Sequence, residues 1–545
     1  MGNKNLKLTK LALALGLTVG LTGCFSDNDN DVVVTPPDPG EETTKVPTPD
    51  TPAALSSYVS VTVTDSASGD VVDNATITFF ESGAASTNVT DLDGADISSQ
   101  TSTDGAFAFK TKDGVSSITL AVSAADYLEG SAIVDLSGDD NAVNVAVNLV
   151  SKASLAVASQ ADLATTDGKL AEALSVEANS TNGGAKLDIP TTVTLQDADG
   201  NAISGAVSVE VATADLSAEA GKASAASIIP AGLNAGNTTN VLVPAGIITV
   251  NISAGDTAVK SLSEAVTLTT NFPETYTKAD GSNLAQNDAF DVYSYDETKA
   301  TWSKLDSQAV VAAKSGTVFP ASFETTHFSS FVPVETVTGC SEEVSYAFTG
   351  DAVPASGLNL KIVSSALDKT KIVNSASGVL YAQGTAGAAG ITSSATVNVE
   401  VSDANGNVWG TASNVQLCNS SATAADITIA LDAPVTYVNQ DFSLTYSCSN
   451  TDQPDTQLAF TGALVRYNQA GKAPLIAAET NGTYALTGLV SGATYEVSVI
   501  PVGVDVGDAS LTVPTFTAAA GEAVSFNVGR SNCQFDEVTG VTGGN

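Results

Sequence analysis

The strongest constraint on the fold is an alternation of apolar and polar residues with a period of two. Val59, Val61 and Val63 alternate with polar residues, and the run 143–149 repeats the pattern. Successive side chains of a β-strand point to opposite faces, so this period is typical of half-buried strands. Asp-Gly pairs at 93–94, 104–105 and 113–114 supply residues that accept the positive φ of hairpin turns. The sequence therefore predicts an all-β fold.

The chain has 545 residues, which is too long for one ordinary domain. After an N-terminal signal (1–23) and a linker (24–55), we predict tandem Ig-like or transthyretin-like β-sandwich domains. Their expected bounds are 56–152, 153–338, 339–433 and 434–545. Within the second, residues 153–180 are rich in Ala, and we expect Leu163 to Leu174 to form one short helix or a connector.

Four segments of the first domain carry a specific resemblance. They are Asn-Ala-Thr-Ile-Thr at 74–78, Thr-Asp-Gly-Ala-Phe at 103–107, the strand and its extension at 120–127, and Val-Asn-Leu at 147–149. Together they resemble the carboxypeptidase regulatory-like domain. The resemblance implies a seven-stranded, transthyretin-like β-sandwich. It implies no peptidase activity, because the zinc catalytic domain of those enzymes has no counterpart here.

Parts of this pattern recur near the C-terminus. Gly-Ala-Leu-Val at 462–465, Asn-Gly-Thr-Tyr at 481–484 and Tyr-Glu-Val-Ser-Val at 495–499 echo the segments around Ala75, Gly105 and Val122. The echo predicts a second transthyretin-like sandwich in 434–545. The second domain ends on Thr-His-Phe-Ser at 326–329, and its order of strands is similar to a β module of bacterial surface lipoproteins, a resemblance that implies no activity.

The N-terminus decides where the chain resides. Lys4, Lys7 and Lys10 precede a mostly apolar run, 11–21, which has the layout of a secretory signal and is too short to span a bilayer as a helix. The run ends in Leu-Thr-Gly followed by Cys24, which resembles the bacterial lipoprotein signal. That resemblance implies a diacylglycerol on the Cys24 thiol, removal of residues 1–23 and acylation of the new amine, with palmitate as the expected chain.

The residues after Cys24 are Phe25 and Ser26 rather than Asp. In the Gram-negative family Asp at that place holds a lipoprotein in the inner membrane, so the resemblance implies a lipid anchor in the outer membrane, on its surface or periplasmic face. The alternative is a plain signal peptide with a chance cysteine. The linker 24–55 is rich in Pro, Asp and Thr, and such a segment stays extended and disordered.

The charge balance limits the partners. The sequence holds 21 Lys and Arg against 60 Asp and Glu, a net charge of −39. Such a chain repels nucleic-acid phosphates and anionic lipid headgroups, so we expect no nucleic-acid partner and no membrane contact besides the lipid anchor. The partners that remain are neutral glycans, cations and basic surfaces, including those of other envelope proteins. The acidity alternatively serves only to keep an exported protein soluble.

Apart from Cys24, the chain has four cysteines: Cys340, Cys418, Cys448 and Cys533. An even number in an exported chain predicts two disulfides, and three pairings are possible. Pairing the first two and the last two would staple one domain each. None of the spacings fits a Cys-x-x-Cys metal or redox motif.

Catalytic motifs are scarce. His327 is the single histidine, which excludes zinc sites built on two or three histidines, and the sequence has no Gly-x-Ser-x-Gly turn and no phosphate-binding loop. We therefore predict that the protein is not an enzyme and that His327 is structural. A pair of carboxylates could still hydrolyse glycosides, but the many Asp and Glu leave no pair to nominate. Trp302 and Trp409 are predicted to be core or interface anchors.

No cofactor is expected, with calcium as the one ligand that the sequence could support. Two loops place carboxylates at alternate positions: Asp91, Asp93 and Asp96 in the first, and Asp197 and Asp199 in the second. Calcium favours such oxygen ligands, but Asp-Gly is also the ordinary hairpin signal.

The prediction as a whole is a non-enzymatic, lipid-anchored cell-envelope protein with a structural, adhesive or scaffolding role. The alternative is a glycan- or calcium-dependent recognition protein that is accessory to polysaccharide handling.

Overall fold

β-Strands make up nearly all the regular structure of the chain. The computed structural model describes residues 44–47, 58–137, 142–180, 183–215, 224–237, 239–419, 425–451, 453–503, 506 and 511–538. Within these ranges the only helices are three short 3-10 helices, Lys152–Ser154, Ala225–Ile228 and Ala386–Ala389. None of the helices in the described ranges has the length and apolarity to cross a membrane. The predicted all-β fold class is confirmed.

The predicted signal, Cys24 and most of the predicted linker lie outside the described residues. The linker was predicted to be extended and disordered, yet it contains one paired strand, β1 (Thr44–Pro47). Its partner lies at the other end of the chain and is described below.

The first sandwich follows at 58–150. Its strands are β2 (Tyr58–Asp65), β3 (Thr76–Glu81), β4 (Ala84–Ala85), β5 (Val89–Thr90), β6 (Ser99–Thr101), β7 (Ala106–Thr111), β8 (Ser117–Ser123), β9 (Gly130–Asp135) and β10 (Ala142–Leu149). One sheet has the order β10-β2-β7-β5, and the other has the order β4-β3-β8-β9 with β6 beside β3. Apolar side chains of both sheets form the core, where the rings of Phe79 and Phe109 lie 5.0 Å apart.

The hairpin before β7 explains the Asp-Gly signal. Asp104 and Gly105 both have positive φ, 54° and 65°, as a tight hairpin turn requires. A side chain at Gly105 would place its Cβ 2.5 Å from the Cβ of Val71. Asp104-Gly105 is therefore fixed both by backbone conformation and by a close approach of the neighbouring chain.

The second module, 155–338, is built on one large sheet. Its strands are β11 (Ala156–Leu163), β12 (Thr165–Thr166), β13 (Lys169–Leu170), β14 (Leu174–Ser180), β15 (Gly183–Ile189), β16 (Leu195–Gln196), β17 (Val207–Thr213), β18 (Asn240–Pro244), β19 (Ile248–Ala254), β20 (Thr257–Ala258), β21 (Ser261–Leu262), β22 (Val266–Pro273), β23 (Ala289–Asp296), β24 (Thr301–Val311), β25 (Val318–Thr325) and β26 (Ser330–Thr338). The main path is β11-β17-β19-β26-β23-β24-β25-β22-β15-β14, and its two end strands lie beside each other. The sheet thus curls around a single core.

Of the two alternatives predicted between Leu163 and Leu174, the short helix is wrong, and the segment connects β11 to β14. The segment forms the small hairpin of β12 and β13 instead. Asp167 and Gly168 have positive φ, 51° and 75°, and make its turn. Leu170 and Leu174 are buried in the core of the module. Two consecutive left-handed residues end any helix, and this local turn chemistry outweighs the helix propensity of the alanines around it.

The third sandwich comprises β27 (Val344–Gly350), β28 (Leu358–Val363), β29 (Asp368–Val373), β30 (Ser377–Tyr381), β31 (Thr396–Ser402), β32 (Val408–Gln416) and β33 (Ile427–Leu431). The fourth comprises β34 (Tyr437–Cys448), β35 (Leu458–Ala459), β36 (Ala463–Asn468), β37 (Leu475–Ile476), β38 (Ala478–Thr480), β39 (Thr483–Val490), β40 (Thr494–Pro501), β41 (Phe516–Thr517) and β42 (Ala523–Arg530). Each pair of sheets encloses its own core.

The first, third and fourth sandwiches share one topology. In each, the first strand pairs in parallel with the last: β2 with β10, β27 with β33, and β34 with β42. In the fourth, Asn481 and Gly482 have positive φ, as Asp104 and Gly105 do in the first. The repeated sequence segments therefore occupy matching strands, while the domain boundaries given from the sequence stay predictions.

The first and fourth sandwiches pack against each other through their outer sheet faces. Leu92 and Ala108 from the first and Leu464 and Val502 from the fourth form a small apolar cluster, which we call the head-to-tail interface. A final strand, β43 (Phe535–Val538), pairs antiparallel with β1. Both contacts bring the two ends of the chain together.

Candidate functional site

A polar pocket opens on the second module, where β23, β24 and β26 lie side by side. It has a volume of about 280 Å³. Its lining residues are Lys278, Asp288, Ala289, Phe290, Asp291, Gln308, Val334, Glu335 and Thr336. We call this the β23–β26 pocket.

Strand alternation explains why the pocket is polar. Phe290 points into the core and is 2% exposed, so the next residue, Asp291, points outward. Asp291 lies opposite Val334 of β26 and opposite Gln308 of β24. The register of β23 and β24 shifts between Asp291 and Tyr293. Such a bulge redirects side chains locally, here at the edge of the pocket.

The carboxylates of the pocket are held by neighbouring donors. Lys304 Nζ lies 2.6 Å from Asp291 Oδ2, and Gln308 Nε2 donates to Asp291 Oδ1 at 2.8 Å. The hydrogen bond from Lys304 holds the pKa of Asp291 below its ordinary value. A carboxylate oxygen has two lone-pair directions, so each still has the capacity to accept from a ligand.

On the opposite side of the pocket, neighbouring donors also hold the carboxylates in place. Tyr276 donates its hydroxyl hydrogen to Glu335 Oε1 at 2.5 Å, and Ala279 N donates to Glu335 Oε2 at 3.0 Å. Lys278 Nζ lies 3.1 Å from Asp288 Oδ2, and this contact raises the pKa of Lys278. The pocket therefore offers fixed acceptors and one ammonium donor, an arrangement suited to a ligand with several hydroxyl or amino groups.

Sequence reasoning missed this pocket. Its polar lining residues come from a loop and three strands, and they are separated by up to about 60 positions in the chain. Nothing in the sequence shows that β23 and β26 are neighbours.

The two predicted calcium loops are hairpin turns capped by their first aspartate. Asp91 Oδ1 accepts from the backbone N–H groups of Asp93 and Ala95 at 3.0 and 2.8 Å. Asp197 Oδ1 accepts in the same way from Asp199 and Asn201 at 2.9 and 2.8 Å. These bonds are the local side chain to backbone pattern that aspartate makes in turns.

The remaining loop carboxylates have separate roles. Asp93 Oδ1 accepts from Gly503 N of the fourth sandwich at 2.8 Å, across the head-to-tail interface. Asp96 forms an ion pair with Lys112 at 2.7 Å. Among the described ranges, no three His, Cys, Asp or Glu side chains are grouped so that they could hold a metal ion. Calcium at these loops stays a prediction, and capping explains their aspartates without it.

His327 lies between β25 and β26 and is half-buried. Its Nδ1 is 3.4 Å from Thr325 Oγ1, and its ring centroid is 5.4 Å from that of Phe331. Burial lowers its pKa below the ordinary value. The hydroxyl of nearby Ser329 donates to the backbone oxygen of Tyr295, away from the imidazole. This geometry fits the structural role that we predicted for His327.

The cysteines form two disulfides, Cys340–Cys418 and Cys448–Cys533. Of the three pairings that the sequence left open, this is the one that closes the third and fourth sandwiches individually. Cys24 lies outside the described residues.

The two tryptophans anchor contacts between elements. Trp302 donates its indole N–H to the backbone oxygen of Pro230 at 3.2 Å. Trp409 is 4% exposed and donates to the hydroxyl of Tyr437 at 3.0 Å, at the junction of the third and fourth sandwiches. Both positions fit the predicted role of core or interface anchors.

Comparison with known proteins gives no family. No family model matches the chain, and no curated protein sequence matches it. Among solved structures, it is similar to the minor pilin of Streptococcus agalactiae at 12% identity and a TM-score of 0.16, over 36% of this chain and 99% of that one. It is also similar to the major pilin subunit of Bacillus cereus, at 9% identity and a TM-score of 0.14, over 87% of this chain and 99% of that one.

A third similar structure contains two B repeat units of the collagen binding protein of Staphylococcus aureus, at 10% identity and a TM-score of 0.12, over 88% of this chain and 99% of that one. Identities and TM-scores this low carry no argument about what the present chain does. The functional conclusion rests on the chain's own features.

Proposed function

We propose that this protein is a non-enzymatic, lipid-anchored component of the cell envelope with a structural or adhesive role. The observation that carries the proposal is the pair of disulfides in tandem sandwiches, because disulfides persist in exported proteins and are rare in the cytosol. The lipoprotein-like signal that ends at Cys24 supports an anchor, and two or more acyl chains give a lasting one.

The anchor is tested by fractionating cells that express the full chain. We expect the wild-type protein in the outer-membrane fraction, and we expect Cys24→Ala to remain unprocessed and to lose its lipid. Phe25→Asp is the matched variant, since Asp after the lipidated cysteine should redirect the protein to the inner membrane while processing continues. If Cys24→Ala is processed and localised as the wild type is, the anchor is refuted.

A second candidate function is recognition of a glycan by the β23–β26 pocket. The pocket volume of about 280 Å³ approaches the lower end of ligand sites, and its carboxylates, amide and ammonium are the groups that hydrogen-bond sugar hydroxyls. This function would make the protein accessory to polysaccharide handling.

A glycan array probed with the purified full chain tests this second function. We expect Asp291→Asn to abolish any binding seen, because it removes the negative charge and replaces the carboxylate oxygen held by Lys304 with an amide NH2 donor. Asp188→Asn is the control, since Asp188 pairs with Lys186 at 2.7 Å on β15, outside the pocket. A flat array, or equal loss with both variants, would contradict glycan recognition.

Calcium dependence is tested separately by thermal unfolding with and without calcium. A site at the Asp91 or Asp197 loop would raise the unfolding midpoint, and the rise would be lost in Asp93→Asn or Asp199→Asn respectively. An unchanged midpoint would remove calcium from the proposal.

A further inference from the structure

The first and last strands of three sandwiches run side by side in the same direction. β2 pairs with β10 over eight residue pairs, β27 with β33 over five, and β34 with β42 over eight. When the two ends of such a sandwich are pulled apart, the first strand is drawn backward and the last strand forward along their common axis. All hydrogen bonds between the two strands are then loaded together, in shear, rather than one after another.

In the fourth sandwich, the disulfide lies on the path along which tension passes from one end of the domain to the other. Cys448 is the last residue of β34, and Cys533 follows the end of β42. Tension that enters at Tyr437 runs along β34 to Cys448, crosses the covalent S–S bond and leaves from Cys533. The intervening chain, 85 positions long, is outside the load path and cannot be extended while the bond is intact.

The third sandwich is bypassed in the same way. Cys340 precedes β27, and its partner Cys418 follows β32. Tension that enters at Cys340 crosses to Cys418 and leaves the intervening 78 positions unloaded. The short remainder contains β33, which is itself held in shear against β27.

The second module has neither a parallel pair of terminal strands nor a disulfide. Its first strand β11 pairs with β17, and its last strand β26 pairs with β18, β19 and β23. The terminal strands therefore do not hold each other, and neither disulfide involves this module. The first sandwich is intermediate, because it has the parallel strand pair without a disulfide.

From this arrangement we propose that the chain is built to carry tension, with third and fourth sandwiches that do not lengthen under load and a second module that yields first. The proposal rests on the structural or adhesive function proposed above, for which an anchored protein must transmit force from its distal part to the envelope. It adds a mechanical ranking: second module weakest, first sandwich stronger, third and fourth locked.

Single-molecule force spectroscopy of the full mature chain, held at its N- and C-terminal residues, tests the proposal. Because the β1–β43 pair and the head-to-tail interface join the two ends of the chain, we expect these contacts to open first, before any module unfolds. Under oxidising conditions we then expect two main extensions at about 3.6 Å per residue: about 660 Å from the second module at lower force, followed by about 330 Å from the first sandwich. Adding a reductant should introduce two further extensions of about 280 and 300 Å, from the 78 and 85 positions that the disulfides enclose.

Matched variants assign the last two extensions. Cys340→Ser with Cys418→Ser should release only the extension of about 280 Å without reductant, and Cys448→Ser with Cys533→Ser only that of about 300 Å. If one double variant fails to fold, the other still assigns its own extension, and the reduced wild-type molecule then gives the remaining extension by difference.

Extension of the third or fourth sandwich in the oxidised protein would overturn the proposal. So would rupture of the first sandwich before the second module, or reduction-dependent steps of other lengths. The measurement requires neither lipid nor binding partner, so its outcome is independent of the fractionation experiment that tests the anchor.

Discussion

Arg466 offers the sharpest test of how the first and fourth sandwiches pack against each other. It lies on β36, on the face of the fourth sandwich that packs against the first, and is 6% exposed. Its Nε and Nη2 donate to no acceptor among the described residues. Tyr58 and Asp104 of the first sandwich are the nearby groups that favour its charge, but burial outweighs them and lowers the pKa of Arg466 to about 10.

The free-energy cost of this cation follows from its pKa. A fall from 12.5 to about 10 corresponds to roughly 3 kcal/mol of unfavourable interaction with the charged form. The guanidinium is charged in both the folded and the unfolded protein below pH 10, so the cost is fully present at neutral pH. It declines only as the pH rises through about 10, where the folded form would begin to lose its proton.

We therefore expect Arg466→Met to stabilise the fourth sandwich by about 1–3 kcal/mol, because methionine fills the space without a buried charge. Hydrogen exchange of peptides from β36 and β40 reports this locally, and protection should rise roughly tenfold to a hundredfold. Lys299→Met is the control, since Lys299 is 60% exposed and should change protection by less than about twofold. Lower protection in Arg466→Met would show that the cation is stabilising and refute this reasoning.

Three further outcomes are expected. The single histidine signal of His327 should titrate below pH 6.5 in a proton NMR series, and stability should fall as the pH drops through 6.5 because the unfolded chain binds the proton first; His327→Gln should flatten that dependence. Tyr437→Phe removes two hydrogen bonds at the junction of the third and fourth sandwiches and should cost about 1–3 kcal/mol in calorimetric unfolding. In Gly350→Ala the new Cβ would lie 2.2 Å from Leu431 O, and we expect the free energy of unfolding to fall by more than about 2 kcal/mol. In Gly406→Ala, where φ is similar but the space is open, we expect it to fall by about 1 kcal/mol.

The sequence was most informative where strand alternation and turn chemistry agree. Val59, Val61 and Val63 are all buried as predicted, and the Asp104-Gly105 turn has the positive φ values that its residues favour. The repeated Asn481-Gly482 turn also has positive φ at both residues. Where composition alone was used, in the stretch after Leu163, the helix alternative failed because alanine propensity is weak beside two consecutive left-handed residues.

The β23–β26 pocket could not be predicted for a different reason. Asp291 and Glu335 become neighbours only through the pairing of β23 with β26, a long-range contact that no local pattern encodes. The aspartate loops show the converse. Asp91 and Asp197 were recognised as unusual, yet their local hydrogen bonds to the loop backbone account for them before any ligand is considered.

The head-to-tail interface is reflected in the sequence by two strands whose apolar residues do not alternate with polar ones. β7 reads Ala-Phe-Ala-Phe and β36 reads Ala-Leu-Val-Arg-Tyr, and in both strands these residues are buried on both faces. An antiparallel strand with one face in water should alternate with polar residues, so a continuous run of buried positions means that both faces are covered. The inward residues fill each core, and the outward Ala108 and Leu464 meet each other's sandwich. Two such strands, one in the first sandwich and one in the fourth, join the ends of this chain together with the β1–β43 pair.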